Sequence, residues 1–291
     1  MKPTSYPRDD RFKAIITSPK YYKNSSGLNR IHCPEGTIPI LRSQMKFPHY
    51  NKFPSQNDNN ITNEFGIAVY PRGTYYGAIG NLNVWSPSTF GLEFSLAQAW
   101  VTDGEGQDYN SVEAGWISDG YGSTGCYNLD CPGFVQTSQE VTLGEVLTPV
   151  SSYDGPQYQV TIAIHKDIGT GNWWLNFQGR TVGYWPRYIF SGLRTSASLI
   201  AWGGVIGDSH PQGTHTTTQM GSGHFANEGR GKAAFVDNLG FVDEGEHVKD
   251  AKTLLGYATN PACYSVEVGD WNNIEKTHFY YGGPGWSPNC T

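Results

Sequence analysis

A period of two in hydrophobicity constrains the fold of this chain most. Tyr158, Val160, Ile162 and Ile164 alternate with Gln159, Thr161, Ala163 and His165, as on a strand with one apolar face, because successive strand side chains point to opposite sides. A glycine-containing turn follows at 167–172, and Trp173, Leu175 and Phe177 then share a face again. The two runs read as a hairpin. Shorter β-rich runs at 65–70, 75–84 and 94–101 are bounded by Pro, Gly and Asn. No long stretch carries the 3.6-residue period of an amphipathic helix. The 36 Gly, 17 Pro and 14% aromatic residues fit many short strands joined by tight turns. Repetition of such units predicts an all-β fold, an antiparallel β-sandwich of two sheets. At 291 residues, such a fold buries roughly three quarters of its unfolded surface without help from a metal.

Charge and composition exclude several functions. The net charge of −6 is spread along the chain, and no Lys/Arg block is present to follow a phosphate backbone. Nucleic acid is therefore not an expected partner. No run approaches the roughly 18 to 20 apolar residues of a membrane helix, so a soluble monomer is expected. His210, His215 and His224 fall within fifteen residues of one another. Their spacing fits no zinc motif, and no carboxylate or thiolate close in sequence completes a ligand set, so no metal and no cofactor is expected. Gly221-Ser222-Gly223 lacks the outer glycines of a nucleophile elbow. The turn at 166–171 has no following helix to cradle a phosphate. Two sequons, Asn24-Ser25-Ser26 and Asn60-Ile61-Thr62, agree with secretion. The turn-rich stretch 54–60 reads as a linker, dividing residues 1–59 from a domain at 60–291.

Longer motifs go further. They are Cys33-Pro34-Glu35-Gly36-Thr37, Val112-Glu113-Ala114-Gly115-Trp116, Thr124-Gly125-Cys126-Tyr127-Asn128, Cys131-Pro132-Gly133-Phe134-Val135-Gln136, Trp202-Gly203-Gly204-Val205 and His215-Thr216-Thr217-Thr218-Gln219-Met220-Gly221-Ser222-Gly223-His224-Phe225. In this order they resemble the neprosin family of plant glutamic peptidases. The resemblance implies a β-sandwich with a groove across one sheet and acid-dependent endopeptidase activity after proline. It also implies disulfides Cys126–Cys131 and Cys263–Cys290, and a secreted protein. The first 45 residues or so resemble the end of the family's activation peptide, so residues 1–59 are expected to be a remnant of that peptide plus linker. Met1-Lys2-Pro3-Thr4 has no apolar segment of the kind a signal peptide carries. The chain is therefore expected to begin inside a precursor, leaving Cys33 without its upstream partner.

Amide hydrolysis by a carboxylate pair needs one ionised group to take a proton from water and one protonated group to serve the leaving nitrogen. Close pairing pushes their pKa values apart. Glu113 matches the first catalytic position. The second, the last residue of the family's W-G-G-E, is Val205 here, which can neither relay a proton nor bind an oxyanion. Asp208 and Glu228 are the nearest substitutes. Between Trp116 and Asp119 the chain also lacks a loop and strand usual in the family, which predicts a new sheet edge beside Glu113. The resemblance thus implies a relative whose peptidase activity is absent or strongly impaired, the alternatives being an active acid-dependent prolyl endopeptidase or a non-catalytic peptide- or glycan-binding sandwich. Trp116, Tyr121 and Trp202 are the expected groove walls. The expected partner is a proline-containing peptide or protein, and the chain's own propeptide is a further candidate.

Overall fold

The computed structural model describes residues 2–7, 12, 33, 37–39, 61–118, 128, 129, 132–210 and 214–290. The structure is all-β, as the alternation predicts. Its strands are β1 (Thr62–Tyr70), β2 (Gly77–Asn83), β3 (Ser95–Asp103), β4 (Asn110–Ser118), β5 (Val135–Gln136), β6 (Gln159–Lys166), β7 (Trp173–Phe177), β8 (Arg180–Trp185), β9 (Leu199–Asp208), β10 (Ala234–Val242), β11 (Val248–Asp250), β12 (Leu255–Ala258), β13 (Ser265–Val268) and β14 (Phe279–Gly282). They form two antiparallel sheets. One has the order β12-β1-β9-β3-β4; the other runs β13-β14-β10-β2-β6-β7-β8-β5, with β11 added on β10.

The hairpin read from alternation is β6–β7, in the register Ile164↔Leu175 and Ile162↔Phe177. Val160, Ile162, Ile164, Trp173 and Leu175 pack between the sheets with Leu82, Trp202, Met220, Val236 and Tyr281. Met220, from the long motif, reaches this core through a bridge to Gly283. The outward residues of β2 and β6, Ile79 and Ala163, form a smaller cluster with Phe12, Val242 and Val248. Among the described residues, β4 pairs only with β3 and ends its sheet; the residues that follow it, 119–127, lie outside them.

Residues 2–7 dock on the nine-stranded sheet, through Asp167. Its carboxylate accepts hydrogen bonds from Thr4 N (2.9 Å), Thr4 Oγ1 (2.8 Å), Ser5 Oγ (2.9 Å) and Thr170 Oγ1 (2.8 Å). Burial tends to raise the Asp167 pKa, but these donors outweigh it and hold the carboxyl well below the usual carboxylate range. Next to it His165 is wholly buried between Tyr6 and Phe12, with ring centroids at 5.8 and 5.3 Å. Its Nδ1 lies 3.2 Å from the Asn176 amide, and Nε2 has no partner among the described residues. Burial pushes His165 down to about 4, the Asp167 charge opposing only in part.

The Cys263–Cys290 disulfide is present and spans 27 residues. Cys33 is a free thiol of intermediate exposure. The Cys126–Cys131 pair lies outside the described residues.

Two predictions follow from these contacts. A histidine that folding keeps neutral lowers stability wherever the unfolded chain is protonated and the folded one is not. Stability should therefore be full above pH 6.5 and fall toward pH 4, by on the order of 3 kcal/mol from this group. Urea unfolding across that range should show the slope, and His165→Gln should flatten it. Replacing both Cys263 and Cys290 by Ala should cost about 3 to 4 kcal/mol by loop-closure entropy, read in the same denaturation experiment.

Candidate active site

The outer face of the five-stranded sheet carries the positions matched to the catalytic pair. Trp202 is wholly buried between the sheets, so alternation along β9 sends Ala201, Gly203 and Val205 outward. The register places Phe65, Val205, Leu96 and Ile117 in one row across the sheet. The next row is Tyr257, Ile67, Gly203, Gln98 and Gly115, and the third is Leu255, Val69, Ala201, Trp100 and Glu113. The middle row has no side chain at two of its five positions. Gly203 has φ of 139°, and a Cβ there would lie 2.4 Å from Gly66 O; a Cβ on Gly115 would lie 1.9 Å from Ala97 O. Neither position accepts another residue without a backbone shift, which leaves a shallow trough across the strands on either side of Gln98.

Glu113 stands on one wall of this trough and Val205 on the other. Glu113 is exposed and accepts hydrogen bonds from Gln98 Nε2 at 2.7 Å and Ser111 Oγ at 2.5 Å. Tyr109 is close by; burial and then the Glu113 charge raise its phenol. Val205 is 5% exposed, in an apolar cluster with Phe94, Trp100 and Ala201 that Phe65, Leu96 and Ile117 extend. Of the residues that alternation directs to this face, Glu113 is the one carboxylate. The two wall positions are four residues apart along the strands and two strands apart across them, a Cα separation of roughly 16 Å from strand geometry. Close pairing of two carboxylates is therefore not what these positions provide.

Two expected wall residues belong elsewhere. Trp116 and Trp202 have the opposite parity and are buried between the sheets, and the Trp116 indole donates to Asn83 O at 3.0 Å. The trough walls are instead Phe65, Leu96, Trp100 and Ile117 beside the matched pair. Their sequence signal was the same alternation that makes Glu113 outward, applied to the neighbouring strands. Tyr121 lies outside the described residues. Glu228 sits in the turn Ala226–Glu228, where it accepts a hydrogen bond from Tyr153 at 3.0 Å and meets His224 Nδ1 at 3.0 Å. Burial tends to raise its carboxyl, but these two contacts bring the net shift downward. Asp208 is on the inner side of β9, wholly buried. Neither acid stands on the trough.

Asp208 belongs to a second polar cluster, on the reverse side of the wall that holds Val205. Glu64 of β1, Asp208 and His215 are all more than nine-tenths buried. His215 Nε2 lies 3.2 Å from Glu64 Oε1 and 3.8 Å from Asp208 Oδ2, while Nδ1 donates to Thr216 O at 2.9 Å. Burial tends to lower His215, but the Glu64 bond and the two carboxylate charges reverse the direction. Beside them buried Glu93 accepts from the hydroxyls of Ser209, Thr216 and Thr218. Burial pushes Tyr264 far up, and the charges of Glu64, Asp208 and Glu93 add to it. The three histidines grouped by sequence divide: His224 pairs with Glu228, whereas His210 and His215 both approach Asp208, and His215 also meets Glu64 from β1. Glu64 and Glu93 carried no local signal.

No helix among the described residues is long and apolar enough to cross a membrane. Residues 116–284, more than half of the chain, match the Neprosin family. That segment contains the Val205 strand, the 215–225 motif and one half of the described disulfide, Cys263. This match shows that the chain belongs to the Neprosin family.

Proposed function

We propose that this protein is a catalytically impaired neprosin-type glutamic peptidase. It keeps the peptide-binding trough and the carboxylate Glu113, and it has lost the acid that the family's chemistry places across from it. The observation that carries this reading is the asymmetry of the trough, with a hydrogen-bonded carboxylate on one wall and Val205 in an apolar cluster on the other. Glu113 is in position to take a proton from a water lying in the trough. Among the described residues, nothing on the opposite wall can give one to a leaving nitrogen, and losing one member of a catalytic unit commonly costs several orders of magnitude in rate.

The trough suits an extended peptide. The two glycine positions let a backbone approach the floor, and the aromatic and aliphatic walls offer contact to an apolar ring such as proline. Binding without turnover follows as the second reading, favoured by the same asymmetry. The disulfide supports a secreted protein, because such bonds persist in oxidising compartments.

The decisive experiment is cleavage of a quenched proline-containing peptide from acidic to neutral pH, with binding followed in parallel by fluorescence anisotropy. The native chain should bind the peptide and cleave it at least about a thousandfold more slowly than Val205→Glu at acid pH, and Glu113→Gln should abolish the restored activity. Robust cleavage by the native chain that disappears in Glu113→Gln would sink the impaired-enzyme reading. Val205→Glu carries its own signature. A glutamate among Phe65, Phe94 and Leu96 has its charged form disfavoured, so its folded pKa rises above the unfolded value. The variant should be destabilised by about 2 to 3 kcal/mol at neutral pH. That penalty should vanish as pH falls below the ordinary glutamate pKa, which thermal melts at the two extremes would show.

A further inference from the structure

We propose that Glu64, Asp208 and His215 form a binding site for one divalent first-row transition-metal ion, zinc or a chemically similar ion. The proposal is independent of the peptidase reading, since the cluster lies on the reverse side of the trough wall.

Three donor atoms, one from each residue, lie within 4.8 Å of one another. His215 Nε2 is 3.2 Å from Glu64 Oε1 and 3.8 Å from Asp208 Oδ2. Ligands bonded to one zinc ion at about 2.0 to 2.2 Å sit at comparable mutual separations. The imidazole is oriented as a ligand would be. Its Nδ1–H donates to the Thr216 carbonyl, which directs Nε2 at the two carboxylates, an arrangement characteristic of metal-bound histidine.

Independent evidence for a missing partner comes from the carboxylates. Glu64 is 6% exposed and Asp208 0%, yet Glu64 Oε2 and Asp208 Oδ2 make no hydrogen bond among the described residues. Buried carboxylate oxygens are costly unless paired. The contrast with Glu93 is informative, because each of its oxygens accepts from neighbouring hydroxyls. Among the described residues no lysine or arginine forms an ion pair with Glu64 or Asp208; their charged neighbours are His215 and, 3.6 Å from Asp208 Oδ2, the half-exposed His210. A divalent cation would satisfy both orphaned oxygens and balance the charge.

The donor set chooses the ion. One imidazole with two carboxylates suits zinc, cobalt or manganese, whereas calcium and magnesium favour all-oxygen shells. The neighbouring grouping of His215 with Cys263 and Cys290 is unavailable to a metal, since both sulfurs are consumed by the disulfide. Bound at Glu64, Asp208 and His215, the ion would tie the start of β1 to the end of β9 and to the loop that follows.

The test is to strip the full chain with a chelator, titrate Co²⁺ while recording its visible d–d absorption, and compete with Zn²⁺. One Co²⁺ per chain, displaced by Zn²⁺, is expected. Glu64→Gln and Asp208→Asn should each weaken binding by on the order of a hundredfold or more, since even residues that only orient a ligand contribute ten- to a hundredfold. Circular dichroism verifies that the variants fold. Binding retained by both folded variants would place the ion on surface histidines and overturn the proposal. A second measurement needs no variant: the melting temperature of the native chain should rise with Zn²⁺ and saturate at one equivalent. Absence of that rise, or of any stoichiometric Co²⁺ spectrum, would also overturn it.

Discussion

The packing of Trp202 between the two sheets sets the parity of β9, and the rest of the site depends on that parity. The indole is wholly buried and lies over the second sheet, where a Cβ on Gly80 would approach its Cδ1 at 3.2 Å. With Trp202 inward, Val205 must face outward and Asp208 inward, because side chains alternate along a strand. A one-residue slip would turn Val205 inward and Asp208 outward. The neighbours resist such a slip. Gly203 and Gly115 stand where strand backbones meet too closely for any Cβ, and Ile200, Trp202 and Ile206 fill the core on the same side.

One strand therefore serves two environments. On its outer side Val205 completes an apolar cluster facing a solvent-exposed Glu113 across a row with two glycines. On its inner side, one strand pitch further on, Asp208 joins Glu64 and His215 in a buried cluster whose two carboxylate oxygens lack hydrogen bonds. Valine at position 205 is comfortable on physical grounds. Valine fits among Phe65, Leu96 and Phe94 without any charge to desolvate, whereas a glutamate there would have to lose much of its hydration.

Much of this was legible in the chain. The β6–β7 hairpin and the outward placement of Glu113 between Val112 and Ala114 follow from alternation. These are local patterns, and the strands conform to them. The Cys263–Cys290 bond followed from family resemblance and is present. Trp116 and Trp202 were misplaced as groove walls because aromatic character was read ahead of parity. Alternation already assigned Trp116 to the core beside Val112, and its indole proton is used within the core by Asn83 O.

What the sequence by itself determined was the class of fold, the alternation that sets a strand residue's face and the presence of valine at position 205. Each depends on a period of two or on a residue's identity, and both are carried by neighbouring positions. The tertiary structure alone decided which strands lie side by side, and hence that Glu113 and Val205 oppose each other across a trough without being a close pair. It also alone brought His215 to Glu64 across 151 residues. Such contacts are set by sheet order and by the loop that returns His215 to β1, and no local period encodes either.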